Sequence, residues 1–121
     1  MDELKLYCVV SREAVKICKH VQGKMYAQAG HAFVGALCDA LNRYPTRAQE
    51  YITSAATPKI TLIADEEQLH ELWRLYKDSH GVALIRDAGR TVFERPTLTA
   101  LGIGPILSSE REEVLVALRP M

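Results

Sequence analysis

LIRDAGRTVFERPTLTALGIGP, residues 84–105, holds two apolar runs separated by a charged, hydroxyl-rich interval. The first run ends in Arg86, Asp87, Gly89, Arg90 and Thr91. The second opens with Thr97 and Thr99 and closes with Gly102, Gly104 and Pro105. Short apolar runs bounded by glycine, proline and polar residues read as strands of a buried sheet. VALIR, 82–86, is then the third strand of the chain and LTALGIG, 98–104, the fourth, joined through 87–96. Asp87 stands where a strand emerges, the edge at which α/β sheets commonly place ligands. Its alternative role is structural, since aspartate in Asp-Ala-Gly often accepts hydrogen bonds from its own turn amides. On that reading Arg90 and Thr91 are ordinary loop residues. Thr97 and Thr99 are two apart and so face one side of their strand. GIGP is not a dinucleotide loop, because it lacks the later glycine of G-x-G-x-x-G and the βαβ context.

Upstream, LKLYCVV at 4–10 reads as the first buried strand and KITLIA at 59–64 as the second. SREAVKICKHVQG, 11–23, fits either a basic loop or a short helical turn. Residues 24–42 read as a helix whose apolar side includes Ala29, Ala32, Phe33, Ala36, Leu37 and Leu41. Its many small residues let it lie close against a sheet. Asn42 and Arg43 end it ahead of Pro45, and TRAQEYITSAA can form a second short helix. Asp65 opens a further helix with a D-x-x-Q variant of the capping box. Leu69, Leu72, Trp73 and Tyr76 recur along it at helical spacing, and Gly81 supplies the stop. SSEREEVLVAL, 108–118, reads as a closing helix capped by Ser108 or Ser109. Strands alternating with helices indicate an α/β layer. The 121 residues show no internal repeat or linker, so one domain spanning 1–121 is expected.

The composition, 48% hydrophobic and 25% charged, is that of a folded soluble protein. Lys plus Arg and Asp plus Glu number 15 each, so no global field recruits nucleic acid. A polyanion site must be local, and one basic cluster exists: Arg12, Lys16, Lys19, His20 and Lys24 against the single acid Glu13. It reads equally as a solvated loop. The three cysteines form no C-x-x-C pair. Cys8 and Cys38 lie in apolar stretches as small core residues, and Cys18 with His20 is too sparse for zinc, which takes about four ligands. This usage fits a reducing compartment. With neither a signal peptide nor a membrane-length apolar span evident, the cytoplasm is the expected location.

In GKMYAQAGHA, 23–32, Lys24, Gln28 and His31 share one helix face. The free amides of the helix's first turn favour an anion there, and a lysine beside them suits phosphate. The plainer alternative leaves Lys24 and Gln28 solvated and His31 half-buried and hydrogen-bonded. GKMYAQAGHA, then LIRDAGRT, then TALGIGP together resemble the type-2 peptidyl-tRNA hydrolases of archaea and eukaryotes. Members of that family carry G-K-x-x-A-Q-x-x-H-A, D-A-G-R-T and T-V-L-G-I-G-P in this order, and the similarity runs from the first strand to the terminus.

The resemblance implies a mixed four-stranded sheet flanked by helices, usually in a homodimer. It also implies hydrolysis of the ester joining a peptidyl group to the terminal ribose of tRNA, with no metal or other cofactor. By motif, Lys24, Gln28, Asp87, Thr91 and Thr99 form the catalytic set, with Lys19, His31 and Arg90 contacting substrate. Asp87 would orient or deprotonate water. Thr91 and Thr99 would position water or substrate, and Lys24 would stabilise developing charge or a terminal phosphate. The basic loop departs from the family's R-x-D-L-K-M-G-K-G-K. It is about four residues longer, with Gln22 in place of a lysine and Val21 in place of a glycine. Those departures keep a rival in view: a noncatalytic tRNA- or protein-binding homologue that retained the fold.

Overall fold

The computed structural model describes residues 2–121, organised about the strand β1 (Leu4–Ser11). Along β1, Tyr7 and Val9 face one apolar core while Cys8 and Val10 face another. A strand covered on both faces must be apolar throughout, which accounts for LKLYCVV. β1 pairs in parallel with β2 (Lys59–Ala64) and antiparallel with β4 (Thr97–Leu107). β3 (Val82–Asp87) lines the outer edge of β4, and β5 (Arg119–Pro120) the outer edge of β2. The order is β3-β4-β1-β2-β5. The sheet is mixed, as expected, but has five strands where four were expected. The fifth is a two-residue piece, extended by the Met121 N–H to the Thr61 carbonyl at 2.9 Å.

Three helices cover one face: α1 (Arg12–Ile17), α2 (Gln22–Arg43) and α3 (Pro45–Ile52). Ser11 decides the 11–23 alternative in favour of a short helix, because its Oγ accepts the Ala14 N–H at 3.2 Å and caps α1. Tyr44 alone joins α2 to α3, with Pro45 at the first helical position, where its missing N–H costs nothing. α2 meets the sheet through Met25, Gln28, Ala32, Ala36 and Ala40, a stripe at three- and four-residue spacing. Ala29, Phe33 and Leu37 flank that stripe, half-buried. Leu41 and Cys38 lie off it and are exposed, against the expectation for both.

α4 (Glu66–Tyr76) and α5 (Glu113–Val116) cover the opposite face, where Leu69, Leu72, Tyr76 and Leu115 are buried with Leu101 and Ile103. The Asp65 capping box forms, with the Asp65 N–H donating to Gln68 Oε1 at 2.9 Å. Gly81 does not stop α4, which ends at Tyr76. It lies where β3 passes under α2, and a Cβ there would sit 2.5 Å from the carbonyl oxygens of Ala36 and Gly104. The closing helix is also shorter than expected. Ser108–Glu110 forms a 3-10 turn, Arg111 and Glu112 are extended, and only Glu113–Val116 is α-helical. Tertiary bonds override propensity there. Glu110 is claimed by Arg47 at 2.6 Å and the Leu107 N–H at 2.9 Å, and the Glu112 N–H donates to the Tyr76 hydroxyl at 2.7 Å.

Candidate active site

The β3–β4 pairing shifts register between Ile85 opposite Ala100 and Arg86 opposite Leu98, so Thr99 is the extra residue of a β-bulge. The core confirms the break in alternation. Leu98 lies with Leu101 and Ile103 on the α4 side, whereas Ala100 lies on the α2 side. Bulges re-aim side chains beside functional sites. Here the re-aimed Thr99 hydroxyl donates to Gln28 Oε1 at 2.8 Å and also lies 3.2 Å from the Ile85 carbonyl. Thr99 and Gln28 are both buried, at 0% and 4% exposure, so this bond carries the polar requirement of a closed interior. The Thr97 hydroxyl is spent elsewhere, donating to the Arg95 carbonyl at 2.8 Å.

Asp87, the last residue of β3, fills both roles that its position allows. Its Oδ1 accepts the Gly89 N–H at 2.8 Å, closing the turn. Its Oδ2 pairs with Lys24 Nζ at 2.7 Å. The same ammonium donates to Thr91 Oγ1 at 3.1 Å, across 67 residues of sequence. A lysine ammonium has three N–H donors. Two are engaged within the site, which leaves the third for a ligand. The Lys24 hydrogen bond, followed by that from Gly89, holds the Asp87 carboxyl below the usual carboxylate range, with burial working against them. Gly89 is required at its place, since φ is +80° and a Cβ would lie 2.2 Å from the Arg95 carbonyl carbon.

Cys18 is buried close enough to feel both charges: burial pushes its thiol up, Lys24 works against that rise and Asp87 adds to it. It belongs to the packing beside α2, and among the described residues no three of His, Cys, Asp and Glu gather as a metal ion requires. No helix among the described residues is long and apolar enough to cross a membrane.

A sequence profile described as peptidyl-tRNA hydrolase PTH2 matches residues 4–121. The chain belongs to that family. It is 36% identical over 86 residues to the peptidyl-tRNA hydrolase of Methanocaldococcus jannaschii, covering 69% of this chain and 74% of that one. The peptidyl-tRNA hydrolase of Methanopyrus kandleri is 36% identical over 107 residues, 87% of this chain and 84% of its own. The mouse protein named peptidyl-tRNA hydrolase 2, mitochondrial, is 39% identical over 105 residues, 85% of this chain and 55% of its own.

Within this PTH2 chain the eight residues singled out in the sequence fall into three sets. Lys24, Asp87 and Thr91 converge directly, and Gln28 and Thr99 form the buried bond one helical turn further along α2. Lys19, His31 and Arg90 are not drawn into either group. All three are exposed, and among the described residues their side chains make no hydrogen bond or ion pair. His31 is thus not the half-buried, bonded residue of the plainer reading. Of the residues that shape the site, Phe93 had no reading of its own in the sequence. Phe93 is fully buried within the 88–96 loop, and the signal for it was an aromatic flanked by Val92 and by the polar run Glu94–Arg95. Gly89 was visible only as part of the Asp-Ala-Gly turn.

Proposed function

We propose that this chain hydrolyses the ester between a peptidyl group and the terminal ribose of tRNA, releasing the peptide and returning tRNA for reuse. Supporting this reading above all is the ion pair of Lys24 with Asp87 at 2.7 Å, which joins a cation to an ionised carboxylate at the open end of β3. Asp87 orients a water molecule toward the ester carbonyl. Its depressed proton affinity makes it a weak base toward free water, so proton uptake accompanies formation of the new C–O bond, when the attacking oxygen becomes acidic. The remaining Lys24 N–H and the Gln28 amide stabilise the oxyanion that replaces the carbonyl. As the bond to the ribose oxygen breaks, the proton held by Asp87 passes to that oxygen.

Thr91 positions the Lys24 ammonium and Thr99 fixes the Gln28 amide. Lys19 and Arg90 are the uncommitted cations through which phosphates of the acceptor end are held, and exposed His31 of α2 contacts the substrate as well. We read the 121 residues as one hydrolase unit, acting in the cytoplasm as a homodimer with an independent site in each protomer. Sedimentation at micromolar concentration reads that assembly.

The deciding experiment incubates purified protein with a peptidyl-tRNA, and with the unblocked aminoacyl-tRNA as control. Release of free tRNA from the former alone is expected. Tight tRNA binding with no ester cleavage would overturn the enzyme and leave a binding protein.

A further inference from the structure

The loop 88–96 that carries Thr91 forms neither helix nor strand. Its polar ties are the Gly89 N–H to Asp87, the Thr91 hydroxyl to Lys24, and the Arg95 carbonyl to Thr97. Thr91 is exposed, and hydrogen bonds of exposed groups exchange readily with water. Such ties cannot by themselves hold a loop in one place. Within 88–96 one residue is buried, Phe93, at 1% exposure. It shares a cluster with Ala14 of α1, Cys18 behind α1, and Met25 of the first turn of α2, with Val92 packed at the margin.

We infer that Phe93 is a positioning residue for this site: its ring docks the 88–96 loop onto α1 and the start of α2, holding Thr91 and the Gly89 amide in register with Lys24 and Asp87. Met25 is the neighbour of Lys24 in the chain, so the surface that receives the ring is the same turn that presents the ammonium. Asp87 itself is held by the β3–β4 ladder and stays in place when the loop lifts. Lifting removes the Gly89 N–H from Oδ1 and the Thr91 support from Lys24. The groups facing Asp87 are the Lys24 ammonium from α2 and the Cys18 thiol behind α1. Arg86 and Arg90 on its own segment are exposed to water. Without the Gly89 bond the carboxyl shifts upward, so the acid side of a pH–rate profile moves to higher pH.

The inference rests on the proposed role of Asp87 for its kinetic arm alone. The test compares Phe93→Ala, Phe93→Leu and a control, Leu69→Ala, which empties the core on the opposite face of the sheet. Three measurements are made: the rate of tryptic cleavage after Arg90, the kinetics on peptidyl-tRNA (kcat and KM across pH), and the 13C titration of the Asp87 carboxyl. Phe93→Ala is expected to speed cleavage at Arg90 at least about tenfold. It should lower kcat by about ten- to a hundredfold, with a smaller change in KM. The Asp87 titration and the acid limb should move upward together. Phe93→Leu should recover most of each, and Leu69→Ala should lower the melting temperature while leaving all three unchanged. A folded Phe93→Ala protein with wild-type protection at Arg90 and an unmoved Asp87 titration would overturn the inference. So would a Leu69→Ala control that reproduces its effects. Absence of hydrolysis in the wild type removes the proposed function, while the proteolysis and titration arms still decide the role of Phe93.

Discussion

Replacing Thr99 by valine removes one oxygen from a closed interior and changes little else. A threonine lining an open cleft would lose its hydroxyl without thermal cost. This one is fully buried, and its partner Gln28 is 4% exposed. Deleting the donor strands Gln28 Oε1, which accepts from Thr99 at 2.8 Å. An orphaned buried acceptor costs about 1–3 kcal/mol. For a chain of this size each kcal/mol corresponds to roughly 3–6 °C, so melting should fall by roughly 3–18 °C. Gln28→Leu alone strands the hydroxyl less severely, since the Ile85 carbonyl lies 3.2 Å away as an alternative acceptor. The double variant replaces both polar groups with apolar ones of similar shape and should recover part of the loss. Thermal melts of the four proteins in the double-mutant cycle should therefore give a coupling of about 1–2 kcal/mol. Single-turnover hydrolysis on the same preparations should fall at least about tenfold in Thr99→Val, because an untethered amide no longer meets the oxyanion in one geometry. Additivity of the two single substitutions within about 0.3 kcal/mol would refute the bond, and unchanged turnover in a destabilised Thr99→Val would confine it to the fold.

Asp87→Asn keeps shape and turn while removing the charge, and should lower turnover by about a hundredfold or more with circular dichroism unchanged. Wild-type hydrolysis by that protein would take Asp87 out of the mechanism. Lys19→Ala and Arg90→Ala should each weaken tRNA binding and flatten its salt dependence, by a slope of roughly 0.7 for each single-strand phosphate no longer neutralised. An affinity indifferent to salt in the wild type would count against any pairing with phosphate. Burial pushes the Glu110 carboxyl up, but Arg47, the Leu107 amide and His80 outweigh it and hold it at about 2, against an ordinary 4.5. A carboxyl depressed in the folded state stabilises fully above its unfolded value and loses that contribution as pH falls through the folded one. Wild-type stability should thus decline between about 4.5 and about 2, and Glu110→Gln should flatten that decline. An identical acid limb in both proteins would show that the carboxylate contributes nothing to it.

Most of the sheet could be read along the chain because β1, β2 and β4 lie between covered faces and their sequences are apolar without alternation. The α2 face was legible in part. Alanines at 32 and 36 marked its line of approach to the sheet, but Leu41 and Cys38 show that apolar character alone does not locate a stripe one residue wide. The C-terminal segment was misread for a different reason. Residues 108–118 have ordinary helical propensity, and what breaks them is Arg47, His80 and Tyr76, all distant in sequence. At the candidate site, motif order singled out Lys24, Gln28, Asp87, Thr91 and Thr99, which come together in space, yet the bond between Thr99 and Gln28 depends on a bulge that no local pattern announces. Lys19, His31 and Arg90 carried the same motif warrant and lie exposed, because a motif records position along the chain and says nothing of what a side chain touches.

The strand order β3-β4-β1-β2-β5 places the first strand between two that come later. No contiguous fragment of the chain therefore contains a finished sheet. The candidate site residues divide along the same line: Lys24 and Gln28 precede the connection at 53–58, whereas Asp87, Thr91 and Thr99 follow it. Cut within that connection, each half carries an incomplete set of the candidate site residues together with an incomplete sheet. Such halves should be silent alone and should regain activity only by rebuilding the interleaved strands. Ester cleavage is then a clock for the last long-range step of folding, and its return after dilution from denaturant should lag the recovery of helical signal.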